Sequence, residues 1–148
     1  MTFFKDYQLA ELLPHSGQMI WLDRVVDFDQ SGLSAELVVR DDGLLGHHAS
    51  VPASIGIEYM AQAIAAYSGI KDKLAGQPIR PGYLLGTRRY NSNVGEFAVN
   101  TRLTVRVEKI AQDEQLGIFD CRILGENIEI TARLNVYNPI SPIIVIDE

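Results

Sequence analysis

The run Val51-Pro-Ala-Ser-Ile-Gly-Ile-Glu-Tyr-Met-Ala-Gln-Ala-Ile-Ala-Ala66 predicts a long helix that is apolar on nearly every side. Pro52 stands near its predicted start, where the missing N–H costs nothing. Glu58 and Gln62 are four residues apart, so both lie on one helix face, one turn from each other. A helix that is apolar all round is normally buried, and a buried carboxylate must be paired, protonated or used. We therefore expect chemistry at this helix.

Strand-like segments stand on both sides of the predicted helix, which is expected to end before Gly76. A short helix over 6–13, ended by Pro14, precedes them. Alternating apolar residues or β-branched runs predict strands at 19–28, 33–39, 83–90, 99–109, 115–124 and 128–137. This order predicts one α+β domain over 1–148, with an antiparallel sheet of about six strands wrapped around the helix. The last four strands are expected to form a meander, and the apolar tail 139–148 to pack on a sheet edge or a subunit interface.

Composition excludes several classes of protein. The chain has 148 residues, an ordinary size for one domain, and a formal net charge of -6, which argues against nucleic-acid binding. The single cysteine, Cys121, allows no intramolecular disulfide, and its strand setting predicts a buried, inert thiol. The N-terminus lacks the apolar core of a signal peptide, and the longest apolar run is shorter than the ~20 residues that a bilayer span needs. We expect a cytoplasmic protein without a bound metal or cofactor.

Two motifs carry a resemblance to a known family. Leu13-Pro-His-Ser-Gly-Gln-Met-Ile-Trp-Leu-Asp-Arg-Val25 resembles the opening of the bacterial 3-hydroxyacyl-[acyl carrier protein] dehydratases of the FabA/FabZ type, which have the hot-dog fold. Pro52-Ala-Ser-Ile-Gly-Ile-Glu-Tyr-Met-Ala-Gln62 resembles their central-helix motif, without gaps. The second motif looks closest to the ApeP-like branch, which is associated with aryl-polyene and related polyketide or fatty-acid biosynthesis. The resemblance spans most of residues 6–138.

The resemblance implies a reaction and its residues. A 3-hydroxyacyl thioester, carried on the phosphopantetheine arm of an acyl carrier protein, loses water to give a trans-2-enoyl thioester. A histidine takes the C2 proton, Glu58 assists departure of the hydroxyl, and the N-terminus of the helix polarises the thioester carbonyl. Burial of Glu58 would favour its neutral form, which suits an acid. Gln62 either orients Glu58 or satisfies backbone groups in the core, and Gly56 allows close approach of either the substrate or another part of the protein.

The histidine segment departs from the family pattern. Here it reads Gly46-His-His-Ala-Ser-Val51, three or four residues shorter than the His-Phe-Pro-Gly-like segment of the fatty-acid enzymes. His47 and His48 are both candidates for the base, whereas His15 is expected to be structural. Because the loop is shorter, we keep an alternative: a non-catalytic or accessory hot-dog subunit that binds acyl chains or pairs with an active paralogue. A hot-dog thioesterase, using Glu58 to direct water, is the second alternative.

The family also implies partners. Its active sites are shared between two subunits, so we expect a homodimer or a heterodimer with a paralogue. An acidic carrier protein would bind to basic residues. Candidates for that surface are Lys71, Lys73, Arg80, Arg88 and Arg89, although a solvated charged surface explains each of them equally well.

Overall fold

A six-stranded antiparallel sheet curves around one long helix in the computed structural model of this chain. The structure describes residues 9–13, 20–41, 49–80 and 82–138. The elements, in chain order, are α1 (Leu9–Leu12), β1 (Arg24–Phe28), β2 (Gly32–Val38), β3 (Ser50–Pro52), a 3-10 turn (Ala53–Ile55), α2 (Gly56–Leu74), β4 (Tyr83–Ser92), β5 (Glu96–Ala98), β6 (Arg102–Asp113), β7 (Leu116–Gly125) and β8 (Ile128–Tyr137). The predicted α+β class and hot-dog architecture are confirmed.

The predicted meander of the last four strands is wrong in one respect. The strand order is β1-β2-β6-β7-β8-β4, so only β6, β7 and β8 form a meander. One edge of β6 is taken by β2, with Leu33 opposite Val107 and Leu37 opposite Leu103. β4 instead pairs with the other edge of β8 and becomes one of the two edge strands of the sheet, opposite β1.

A second, two-stranded sheet was absent from the sequence prediction. β3 pairs with β5, with Val51 opposite Phe97. Each strand has three residues, too few to show an alternating pattern. The predicted strand at 99–109 correspondingly begins later, at Arg102, because Glu96–Ala98 forms β5.

The core lies between α2 and the concave face of the sheet. Alternate residues of β6 (Leu103, Val105 and Val107) and of β8 (Ile130, Ala132, Leu134 and Val136) are buried, as their period of two predicts. Tyr59, Met60, Ala63 and Tyr67 of α2 are buried with them. The sheet therefore covers most of the helix.

One narrow face of α2 is not covered. Ile57, Ala61, Ala65 and Ser68 are only half-buried, and Glu58 beside them is exposed. Their spacing of three or four residues places them in one stripe along the helix. The sheet of a single chain therefore leaves one side of this apolar helix open.

Among the described residues, no helix is both long and apolar enough to span a membrane. The tail 139–148 lies outside the described residues, so its predicted packing stays a prediction.

Candidate active site

The small β3–β5 sheet fixes the entry to α2. The N–H of Ala53 donates to the carbonyl of Gly95, 3.0 Å away, next to β5. A single 3-10 turn then leads from Pro52 into the α-helix at Gly56. Within the described residues, no side chain forms a capping hydrogen bond to the turn or to the start of the helix. The positive end of the helix dipole therefore has no capping carboxylate or hydroxyl among these residues.

Glu58 lies in the first turn of α2 and is exposed. The prediction that this carboxylate is buried within the chain is wrong, because Glu58 falls beside the stripe that the sheet does not cover. The alternative to a chemical role for Glu58 is a structural carboxylate paired with an arginine such as Arg88 or Arg89. Among the described residues Glu58 forms no ion pair, so neither arginine is its partner. The carboxylate is open to a ligand or a second subunit.

Gly56 is buried against the sheet. A Cβ atom at this position would collide with the hydroxyl of Tyr90 and would come within 2.9 Å of the Cδ1 atom of Ile123. The structure therefore gives Gly56 a packing reason, which was one of its two interpretations. Close approach of a substrate to the same backbone stays a prediction.

Tyr90 is a member of this region that the sequence did not reveal. Its hydroxyl donates to the carbonyl of Ala53, 2.5 Å away, and so ties β4 to the 3-10 turn. Burial raises the pKa of Tyr90 to about 12, so the phenol is neutral at physiological pH. Tyr90 is one of two tyrosines in an ordinary strand-like segment, and no local spacing links it to Ala53, 37 residues away in sequence.

Gln62 is buried and binds backbone groups. Its Oε1 accepts the N–H of Trp21 at 2.8 Å and, more weakly, that of Leu22 at 3.4 Å. This contact fastens the segment before β1 to the middle of α2. The geometry supports the interpretation of Gln62 as a core amide that satisfies backbone groups. Orientation of Glu58 by this amide stays a prediction.

The candidate bases are not placed by the structure. His47 and His48, like His15, lie outside the described residues. The described chain resumes at Ala49, whose carbonyl accepts the N–H of Val99 at 2.8 Å. Because β3 follows directly, the histidine segment joins the chain only a few residues before the 3-10 turn that leads to Glu58. Their roles stay predictions.

The five basic residues predicted to form one surface are split between two places. Lys71, Lys73 and Arg80 lie at the C-terminal end of α2 and in the loop after it, whereas Arg88 and Arg89 lie in β4.

The described part of the chain contains no cluster of three or more His, Cys, Asp or Glu side chains that could hold a metal ion.

Comparison with known proteins decides the family. Residues 7–145 match the model of the ApeP-like family, described as ApeP dehydratase. This chain belongs to the ApeP-like dehydratase family. No curated protein sequence matches it significantly.

Solved structures agree with this ApeP-like assignment. The dehydratase heterocomplex ApeI:P from Xenorhabdus doucetiae contains a chain that superposes with a TM-score of 0.80 at 30% identity, covering 88% of this chain and 90% of that one. A hypothetical thioesterase from Streptococcus pneumoniae TIGR4, solved with coenzyme A, gives a TM-score of 0.55 at 12% identity, covering 78% of this chain and 86% of that one. The HP0420 homologue from Helicobacter felis gives a TM-score of 0.65 at 7% identity, covering 91% of this chain and 90% of that one. The last two similarities show the fold alone.

Proposed function

We propose that this ApeP-like chain is a subunit of a dehydratase that converts a 3-hydroxyacyl thioester on acyl carrier protein to the trans-2-enoyl thioester. Family membership supports dehydration in general. The observation that carries the finer proposal is Glu58, an exposed carboxylate in the first turn of α2 that forms no ion pair with a described residue. The candidate acid and the positive end of the helix dipole are thus adjacent, as the proposed elimination requires.

In the proposed mechanism, an imidazole from His47 or His48 removes the C2 proton of the substrate. The electron pair of that C–H bond becomes the C2–C3 double bond. Glu58 donates its proton to the 3-hydroxyl, which leaves as water. The start of α2 stabilises the negative charge that develops on the thioester oxygen. The proposed mechanism uses only these protein groups, with the acyl group held by its carrier and no resident cofactor.

A second subunit is part of the proposal. Three apolar residues at the start of the outermost strand β4 (Tyr83, Leu84 and Leu85) are exposed, between 41% and 61%. No described strand pairs with the outer edge of β4, and such an edge with exposed apolar side chains is a template for another strand. The uncovered stripe of α2 likewise needs a covering element. Because the similar chain from Xenorhabdus doucetiae is part of a dehydratase heterocomplex, we propose a paralogous hot-dog protein as the partner.

We propose an acidic carrier protein as the donor of the substrate. Arg89 and Arg122 line a depression of about 520 Å³ on the outer face of the sheet and form no ion pair with a described residue. Arg122 lies directly across from Arg106, but Arg106 already pairs with Asp29 and Glu108, so Arg89 and Arg122 are the cations that remain for an acidic partner. These arginines are candidates for carrier docking on a protein whose overall charge is negative.

The proposed reaction is tested by product analysis. The purified chain, alone and together with its paralogue, is incubated with a 3-hydroxyacyl thioester on acyl carrier protein. We expect loss of one water from the acyl group, detected by mass spectrometry, with the thioester intact. Release of a free carrier thiol without an enoyl product would contradict the proposal and support a thioesterase.

An accessory role is the second candidate, and the heterocomplex of the similar chain together with the shortened histidine segment favours it. A complex that requires this chain for activity, yet keeps its full rate when Glu58, His47 and His48 of this chain are all substituted, would establish the accessory role. A decrease on substitution of Glu58 would instead place chemistry in this chain.

A further inference from the structure

A cavity of about 250 Å³ lies at the C-terminal end of α2, between that helix and the ends of β6, β7 and β8. Its lining includes Tyr67, Lys71, Arg80, Lys109, Phe119 and Asn138. Lys71 follows Glu58 by 13 residues, so this cavity is roughly 20 Å from the candidate active site along the helix. Nothing in the proposed dehydration uses it.

Lys109 occupies an unusual position for a lysine. In β6 it continues the row Leu103, Val105 and Val107, which faces the helix and is buried. Its Nζ lies 5.6 Å from the centre of the Tyr67 ring and 5.8 Å from that of Phe119. The ammonium therefore sits over aromatic faces at the mouth of the core, where an ionised group is costly without a counter-charge.

A second ammonium shares the same ring. Nζ of Lys71 lies 5.2 Å from the centre of Tyr67 and donates to its hydroxyl. Burial, followed by repulsion from Lys71 and Arg80, lowers the pKa of Lys109. Neither lysine forms an ion pair with a described carboxylate. The two like charges therefore converge with no carboxylate of a described residue paired to either of them.

The nearby carboxylates do not supply that anion. Asp72 is buried and binds Arg80 through its Oδ1, with distances of 3.0 Å to Nε and 2.8 Å to Nη2. Glu114 also lines the cavity but is exposed in the turn between β6 and β7. The facing charges are thus Lys71, Arg80 and Lys109 against Asp72 and Glu114.

Neutralisation of the helix C-terminus does not explain the arrangement. The last carbonyls of α2 already accept N–H groups of the following turn, from Ala75, Gly76 and Gln77. Flat docking of an acidic protein does not explain it either, because Lys71 and Lys109 are half-buried beside the cavity. The cavity also contains a hydrogen-bond acceptor in need of a donor: Oδ1 of Asn138 is buried and has no partner among the described residues. A phosphate dianion has no proton to donate to it, whereas a hydroxyl group elsewhere in a bound phosphate monoester does.

We propose that this cavity binds the dianionic phosphate group of a small molecule, held between Lys71 and Lys109. A dianion can accept hydrogen bonds from both ammoniums, whereas a single carboxylate balances only one charge. Lysine–phosphate hydrogen bonds are charge-assisted and are stronger than neutral ones. The cavity has space beyond a phosphate group, which favours a phosphate monoester over the free ion.

Isothermal titration calorimetry at constant ionic strength tests the proposal on the full chain, without dehydratase substrate. The probes are glycerol phosphate and inorganic phosphate, with chloride as the reference anion. We expect saturable binding of both phosphates and tighter binding of the monoester. Lys109→Met keeps the length of the side chain but removes its charge, and we expect binding to weaken at least about tenfold. Lys73→Met is the matched control, because Lys73 is on the same helix turn but does not line the cavity, and binding should stay within about twofold.

Other outcomes decide the remaining alternatives. Equal or tighter binding of inorganic phosphate would identify the free ion as the ligand. No saturable binding in the millimolar range, or unchanged binding by the Lys109→Met variant, would overturn the proposal. If that variant does not fold, Lys71→Met provides the same test. Since no acyl substrate is present, failure here would leave the proposed dehydration untouched.

Discussion

At the scale of single residues, Cys121 shows how burial sets reactivity. The thiol is 4% exposed, and burial, aided by the neighbouring charge of Asp120, raises its pKa to about 12. The nucleophilic thiolate is therefore scarce at neutral pH. We predict that a thiol reagent modifies the native protein roughly a hundredfold more slowly than the urea-unfolded chain. Equal rates in the two states, measured by absorbance of the released reagent, would contradict this assignment.

Tyr90 gives a residue-scale prediction about pH. Its pKa is raised in the folded protein, so its contribution to the free energy of unfolding is present below pH 10 and is lost as the pH rises towards 12. Tyr90→Phe should weaken this alkaline loss, measured by urea unfolding at several pH values. At neutral pH the free energy of unfolding of the variant should be about 1 kcal/mol lower, because the hydrogen bond to Ala53 is gone. Tyr83→Phe, at an exposed position, is the control and should change neither the alkaline loss nor the free energy of unfolding at neutral pH. A Tyr90 variant with the same pH profile as the unaltered protein would contradict the role given to Tyr90.

The residue scale also shows what the sequence could and could not provide. Glu58 and Gln62 were identifiable because two polar side chains interrupt an apolar helix at a spacing of four. The exposure of Glu58 was not predictable, because it depends on which side of the helix the sheet leaves open. Tyr90 and the ion pair between buried Asp72 and half-buried Arg80 were missed for a related reason. Their partners are set by the tertiary packing of a strand and a loop, without a local pattern.

At the scale of elements, α1 packs closely on α2 through a glycine. A Cβ atom at Gly69 would collide with the backbone carbonyl of Leu12. Because the obstacle is backbone, it cannot move as a flexible side chain would. We predict that Gly69→Ala lowers the free energy of unfolding by about 2 kcal/mol, despite the better helix propensity of alanine.

Gly86→Ala is the matched control for this prediction. A Cβ atom at Gly86, in β4, would meet nothing within 4 Å. Chemical denaturation of both variants compares them directly. An equal or higher stability of the Gly69 variant would show that α1 does not pack against α2 as described.

Element lengths explain which strands were predictable. β6, β7 and β8 have ten to twelve residues, and a regular alternation marks each of them. β3 and β5 have three residues each, and the pairing of β4 with β8 depends on which sheet edge is free. Strand identity was thus present in the local sequence, whereas strand order was a property of the assembled sheet.

At the scale of the whole molecule, the open edge strand predicts association with a second hot-dog subunit. Leu85 is 61% exposed at the start of β4. Leu85→Lys places a charge on that edge and should weaken binding to the paralogue at least about tenfold, measured by analytical ultracentrifugation. Ile110→Lys, at a 45% exposed position on β6, should not change it. Equal affinities of the two variants would place the interface elsewhere.

The same scale sets the central question, whether this chain contributes chemistry to the complex. The direct measurement is the dehydration rate of a complex in which only this chain carries Glu58→Gln, compared with Glu126→Gln at an exposed turn. We predict that the Glu58 variant loses at least about a hundredfold in rate, as expected for removal of a positioned acid, while the Glu126 variant keeps the full rate. A Glu58 variant that dehydrates the 3-hydroxyacyl thioester at the unchanged rate would contradict the account.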